Sequence, residues 1–315
     1  MKQFKSVLDL IRAFPDEQSC IDYLETQRWP NGVISPFDPS SKVYRCKDKF
    51  RCRKTGKNFS VRTGTIFQDS KLPLQKWFIA LFLFSSHKRG LSSYQLAKDL
   101  GVKQSTAYFI LQRLRNAFEH PEHQNKLQGI IQIDEAYVGG RNINRHKDKK
   151  IKYNTDREFP DKTPVIGLIS DTGTVRCFVT DNVRKVTVQP IVYHVVREDS
   201  TIVTDEWMAY NGLSNKYWHE SVDHSKKQYL NDSGFTTNKI ENYWSVLKRT
   251  LGGTYIKVSR KYLQRYCNEI SFRFNTKDIT TKERFDMVLQ NSEGTLKYRE
   301  MVDQNKTRYN YRNFE

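Results

Sequence analysis

Four short apolar runs between residues 129 and 205 constrain the fold of this 315-residue chain more than any other feature. They read "GIIQIDEAYVG", "TPVIGLIS", "GTVRCFVT" and "STIVTD". Each is rich in Ile, Val or Thr and bounded by turn residues, the composition of a strand packed against a core. The turn "SDTG" joins the second to the third, and a helical segment, "TVQPIVYHVVRE", separates the third from the fourth. Beyond them come "EWMAYNGL" with helical spacing, a short strand at "WHESVDH" and a helical pattern over residues 238–274. The order β-β-β-α-β-α-β-α predicts an α/β domain.

Acids stand at the ends of two of these runs. In "IIQIDEAYVGG" they are Asp134 and Glu135, and in "TIVTDEWMAY" the acid is Asp205. A third falls in "TNKIENYWSVLKRTLGG", where Ile240, Tyr243/Trp244, Leu247 and Leu251 form the buried stripe of a helix that Gly252-Gly253 ends. Glu241 lies off that stripe, and Lys248 follows two turns along the same face. Three such carboxylates suffice to hold two Mg²⁺ (or Mn²⁺) ions, which at about 3.5–4 Å apart activate a hydroxyl and stabilise a leaving oxygen in phosphodiester chemistry. Each acid also has a plainer use. Asp205 can cap the helix that follows, Glu241 can close a capping box with Asn238, and Asp134 with Glu135 can be a solvated strand end. The coincidence of all three favours the metal reading. Glu135 and Glu206 rank second, because alternation along a strand sends them to the opposite sheet face.

The chain carries 53 Lys+Arg against 35 Asp+Glu, a net charge of +18, which favours a polyanionic partner, nucleic acid before acidic membrane. Its longest apolar run, "WFIALFLF" at residues 77–84, falls far short of the ~20 residues that cross a bilayer. The start, "MKQFKSVLDLIRAFPDEQ", reads as a short amphipathic helix without a signal-peptide core, and five scattered cysteines suit a reducing compartment, so an intracellular location is expected. The segment 139–162 holds eight Lys/Arg against four acids and reads as a loop beside an anion.

Two further motifs precede the strands. "SSYQLAKDLGVKQSTAYFILQRLRNAF" has the pattern of a helix-turn-helix: Gly101 at the reversal, Leu96, Ala97, Leu100, Ala107, Ile110/Leu111, Leu114 and Phe118 inward. That leaves Lys103, Gln104, Ser105, Tyr108 and Gln112 for a DNA major groove. The region 28–65 has the rhythm of two metal knuckles without their ligands. "ISPFDP" has no cysteine, and "FRCRKTGKNF" offers only Cys52, with Cys46 six residues earlier. A structural zinc needs four Cys/His ligands, so zinc is not expected, and packing of Trp29, Tyr44, Phe50 and Phe59 must hold the module instead.

Several of these stretches together resemble the DDE-type transposases of bacterial insertion sequences, the ISXO-type group with an N-terminal zinc ribbon. They are "FSVRTGTIFQDSKLPLQKWFIALFLF", "SSYQLAKDLGVKQSTAYFILQRLR", "IDEAYVGG", "VTDEWMAY", "TNKIENYWSVLKR" and "GTYIKVSRKYLQRYCNEISFRFN". The resemblance implies an RNase H-like mixed-sheet catalytic domain, with Asp134 on its first strand, Asp205 on its fourth and Glu241 as third acid, with 35 residues between Asp205 and Glu241. Asn238 or Asn242 is an alternative third ligand, as part of the group uses Asn. Lys248 matches a basic residue that contacts DNA near the cut, and Arg249 adjoins it. The ribbon departs from the pattern: Ser35, Asp38, Cys52 and Thr55 stand at the knuckle positions.

The expected organisation is residues 1–70, an N-terminal helix and degenerate zinc-ribbon-like module; 71–122, the helix-turn-helix; 123–276, the catalytic domain; and 277–315, a C-terminal helix and tail. The resemblance implies an enzyme that binds the terminal inverted repeats of its element, cuts DNA with divalent metal and joins the freed end to target DNA. Because two ends must be joined, a dimer or larger homo-oligomer on double-stranded DNA is expected, in a bacterial cytoplasm and at the nucleoid. The rival expectations are a helix-turn-helix regulator without catalysis, a stand-alone RNase H-like nuclease, and a decayed transposase.

Overall fold

The computed structural model describes residues 3–47, 49–117, 125–140, 146–147, 150, 162–206, 208–222 and 234–302. Most of the basic segment 139–162, Phe118 and the end of "WHESVDH" lie outside the described residues. The chain divides into two compact units, one of Met1–Glu119 with Asp278–Val302, the other of His120–Lys277 with Asp303–Glu315.

In the first unit, helices α1 (Val7–Ala13) and α2 (Glu17–Arg28) each begin with a capping box, Ser6 with Asp9 and Asp16 with Ser19. Helix α3 (Leu74–Ser86) buries Leu74, Trp77, Phe78, Ala80, Leu81, Phe82 and Phe84, the all-round apolar pattern of a central helix. Phe14 and Phe285 meet Phe78 edge-on, with ring centroids 5.0 and 5.3 Å away. Each such pair adds about 0.5–1.5 kcal/mol beyond its buried area. Phe285 belongs to α9 (Thr281–Gln290), which Thr280 and Glu283 cap. The stretch after residue 277 therefore packs back into the N-terminal unit: Arg284 donates to the Ser85 carbonyl (2.7 Å) and Tyr23 to Asp286 (2.7 Å).

Strands β1 (Val43–Cys46), β2 (Lys49–Cys52) and β3 (Asn58–Phe59) form a small antiparallel sheet. Trp29, Phe50 and Phe59 pack together under it. Tyr44 does not join them. It pairs with Arg51 on the outer face of the sheet and is 50% exposed. At the expected knuckle positions, Ser35 and Thr55, with Ser41, hydrogen-bond the buried Cys52, and this bonding draws its thiol down to about 6. The Ser35 hydroxyl also accepts from the amides of Phe37 (3.2 Å) and Asp38 (3.4 Å). Asp38 pairs with Lys54 at 3.2 Å.

Helices α4 (Ser93–Leu100) and α5 (Gln104–Asn116) meet at Gly101, whose φ of 60° and ψ of 48° lie in the left-handed region. Ser92 caps α4 through the Gln95 amide. A short helix, α10 (Tyr298–Val302), ends the described chain.

The second unit is a five-stranded sheet in the order β6-β5-β4-β7-β8. Its strands are β4 (Ile130–Val138), β5 (Thr163–Ser170), β6 (Val175–Val179), β7 (Thr201–Asp205) and β8 (Trp218–Val222). The first three pair antiparallel, while β7 and β8 run parallel to β4. Helix α6 (Lys185–Val195) covers one face, over Ile131, Ile133, Ile166 and Leu168. Helices α7 (Asn238–Thr250) and α8 (Arg260–Asn275), joined through a π-helical turn at Leu251–Tyr255, cover the other, over Ala136, Val165 and Ile169. This is the mixed α/β architecture expected of an RNase H-like domain, with Asp134 on the first strand and Asp205 closing the fourth. The helix expected at "EWMAYNGL" is instead a pair of 3-10 turns, Met208–Tyr210 and Leu213–Asn215. Gly212, at φ 99°, interrupts them.

Candidate active site

The pairing of β4 creates the site. Along its β5 side β4 is paired from Ile131 to Val138, but on its β7 side the ladder stops at Gln132↔Val203. Two residues further on each strand come Asp134 and Asp205, so both acids sit where the two strands part. β7 remains anchored on its other side, with Asp205 opposite Val222 of β8. One oxygen from each of Asp134, Asp205 and Glu135 lies within 4.8 Å of the others.

Alternation along β4 explains how each side chain is held. Gln132 and Asp134 face α7: Gln132 accepts from the Ile240 amide (3.1 Å), and Asp134 accepts from the Trp244 indole (2.9 Å). Glu135 faces the α6 side, where its carboxylate accepts from the Tyr210 hydroxyl at 2.5 Å. Trp244 reaches Asp134 because the residue opposite Asp134 in β5 is Gly167. A Cβ there would stand 2.6 Å from the Trp244 ring and 2.9 Å from Ile240.

The electrostatics of the cluster are uniform in sign. Burial raises the Asp134 carboxyl above the usual carboxylate range, and the charges of Asp205 and Glu241 push it further. The Trp244 and Glu135 hydrogen bonds oppose the shift. Glu135 rises to about 7, chiefly through burial, with Asp134 and Asp205 adding to it against the Tyr210 bond. Burial beside these acids also lifts the Tyr210 phenol. A set of converging carboxylate oxygens that destabilise one another fits a hard divalent cation, which takes oxygen ligands and relieves the repulsion.

Among the expected site residues, Asp134 and Asp205 converge, and Glu135 stands with them although strand alternation had ranked it second. Glu241 lies outside the group within 4.8 Å, yet near enough for its charge to act on Asp134. It is not half of a capping box with Asn238. Thr237 is the N-cap residue of α7, and the Thr237 hydroxyl donates to Glu241 at 3.2 Å. Asn238, Asn242 and Lys248 are exposed on α7, as is Arg249, whose guanidinium donates to the Ser245 carbonyl.

In α5, Lys103 and Ser105 are exposed and Tyr108 is half-buried. Gln104 is engaged with the Ser93 hydroxyl at 2.7 Å. Gln112 is a correction: it is fully buried, not on an outer face. From residue 110 to 115 α5 is enclosed on all sides, and Arg113 is drawn inward to the carbonyls of Ile66, Gln68 and Leu296.

The residues that sequence reasoning passed over are Trp244, Gly167, Gln132 and Tyr210. Gly167 carried a signal, as a glycine inside an apolar strand marks close approach of another group. Trp244 was assigned only to the buried stripe.

The five-stranded order β6-β5-β4-β7-β8, with acids where the first and fourth strands part, defines a mixed α/β domain with its candidate site at that parting. Residues 126–275 match the family described as the ISXO2-like transposase domain. Over 295 residues the chain is 26% identical to a Halobacterium salinarum protein described as an uncharacterized protein in transposable element ISH50, covering 89% of this chain and 98% of that one. It is 28% identical over 119 residues to an uncharacterized transposase-like protein of Haemophilus influenzae, covering 38% of this chain and 93% of that one. Among solved structures, the Mos1 strand transfer complex aligns over 69% of this chain and 78% of its own, at 13% identity. Its TM-score of 0.24 is too low to define a common fold.

Proposed function

We propose that the protein is an insertion-sequence transposase that binds the terminal inverted repeats of its element, cuts DNA and joins the freed 3′ ends to target DNA. The observation that carries this reading is the convergence of Asp134, Asp205 and Glu135 at the parting of β4 and β7, within a stretch that matches the ISXO2-like transposase domain. Asp134 and Asp205 would hold Mg²⁺ or Mn²⁺, with Glu241 as the third carboxylate and Glu135 standing beside them. Bound there, one or two such ions supply an activated oxygen nucleophile and stabilise the oxygen that leaves phosphorus.

The chain's own side chains do the rest. Trp244 fixes the Asp134 carboxylate through its indole N–H. Lys248 and Arg249, exposed on α7, would hold phosphate. Lys103, Ser105 and Tyr108 at the start of α5 present donors to a DNA groove, the role a helix-turn-helix gives to those positions. The net charge of +18 supports a DNA partner. Two ends must be brought together, so the working form is at least a dimer.

The test uses duplexes copied from the DNA that flanks the coding sequence, pre-cut at the element ends, with a supercoiled target. The wild-type protein joins them in Mg²⁺ or Mn²⁺ and not in EDTA. Asp205→Asn loses more than the roughly 10–100-fold that removing a supporting partner of a metal ligand costs. Cutting without joining identifies a nuclease. Binding with neither, and indifferent to Asp205→Asn, identifies a regulator.

A further inference from the structure

We propose that the hydrogen bond between Glu135 and Tyr210 is a strap that holds the segment after β7 against β4 and so sets the spacing of Asp134 and Asp205. The inference rests on the metal-binding reading above and assigns Glu135 and Tyr210 as positioning residues for it.

The need for a strap follows from the register. Regular pairing between β4 and β7 ends at Gln132↔Val203, short of both acids. Beyond that point Asp205 keeps its place in the ladder to β8, opposite Val222. Two like-charged carboxylates brought together beyond the end of that ladder repel, and the repulsion favours their separation. A site for a cation must be held against this tendency before the cation arrives.

Tyr210 supplies the hold. It follows Asp205 by five residues, at the end of the 3-10 turn Met208–Tyr210, and its ring is buried in the core under α6. Its hydroxyl donates to Glu135 at 2.5 Å, linking the chain beyond β7 to β4 one residue past Asp134. The far side of the same turn is tied to α6, where the Gln189 amide donates to the carbonyls of Ala209 (3.4 Å) and Asn211 (3.0 Å). Glu135 thus has a use that does not require it to touch an ion. One of its oxygens is taken by Tyr210, and a carboxamide could accept the same bond.

That last point makes the test. Mn²⁺ binding to the full-length protein is measured by calorimetry and by the electron paramagnetic resonance of free Mn²⁺, for wild type, Tyr210→Phe, Glu135→Gln and Glu135→Ala, alongside Asp134→Asn and Asp205→Asn. Tyr210→Phe and Glu135→Ala should each weaken Mn²⁺ binding by about 10–100-fold, the range for partners that orient a ligand. Glu135→Gln, which still accepts from the phenol, should bind closer to wild type than to Glu135→Ala. Wild-type affinity in Tyr210→Phe overturns the strap. So does a Glu135→Gln as weak as Glu135→Ala, because Glu135 would then hold the ion itself. If Tyr210→Phe does not fold, the Glu135→Gln and Glu135→Ala pair decides by the same criterion. Unchanged binding in Asp134→Asn and Asp205→Asn would instead sink the metal-site reading on which the strap depends.

Discussion

Gly167 is the smallest residue with a large share in the site. It faces Asp134 across β4 and β5, and the space it leaves lets the Trp244 indole reach that carboxylate. Gly167→Ala puts a methyl 2.6 Å from the ring, so either the indole or the strand must shift. Overpacking of this kind costs about 1–3 kcal/mol. Thermal denaturation of Gly167→Ala should show a loss in that range. Its Mn²⁺ affinity should fall as well, by roughly 10–100-fold, since the orienting bond to Asp134 is displaced. A variant that is destabilised but binds Mn²⁺ normally would show that Trp244 merely fills the core. At this scale the sequence was readable only in part. Asp134 and Asp205 stood out because acids ending apolar strands are conspicuous. Glu135 did not, because strict alternation places it on the far face, and nothing local reveals that β4 has an open edge there.

Elements whose ends carry their own chemistry were the legible ones. The four runs between 129 and 205 are β4, β5, β6 and β7 in the structure, because apolar strands bounded by turns bury the same way in most contexts. The reversal at Gly101 was equally plain, and its φ of 60° is the reason. Gly101→Ala should cost roughly 1–2 kcal/mol, the penalty of a Cβ in the left-handed region. Open space surrounds that Cβ, so no packing term adds to it. A melting curve unchanged by the substitution would contradict this. Two features were hidden because they depend on partners distant in sequence. Gln112 has the spacing of an outward residue, yet α5 is enclosed at that level. "EWMAYNGL" has helical spacing, but Gly212 and the anchoring of Tyr210 on Glu135 hold it in 3-10 turns.

At the scale of the molecule, the order of the elements along the chain does not match their grouping in space. Helix α9 comes last among the larger elements yet packs beside α3, through Phe285 and Phe78, in the unit that opens the chain. No local pattern announces such a return, whereas the strands and helices of the sheet unit follow one another along the chain from Ile130 to Asn275. Charge is the other whole-molecule property. With an excess of 18 positive charges, binding to duplex DNA should be steeply salt-dependent. For six to ten phosphate contacts the affinity falls by about 10³–10⁵ between 50 and 200 mM salt. Fluorescence anisotropy on a labelled duplex would measure it, and a salt-insensitive affinity would count against backbone binding. The central claim, that Asp134 and Asp205 share a divalent ion where β4 and β7 part, has its most direct test in a calorimetric Mn²⁺ titration of wild type, Asp134→Asn, Asp205→Asn and the control Asp171→Asn. Saturable binding in wild type and Asp171→Asn, lost in the other two, is the predicted result. Equal binding in all four, or none in wild type, would contradict it.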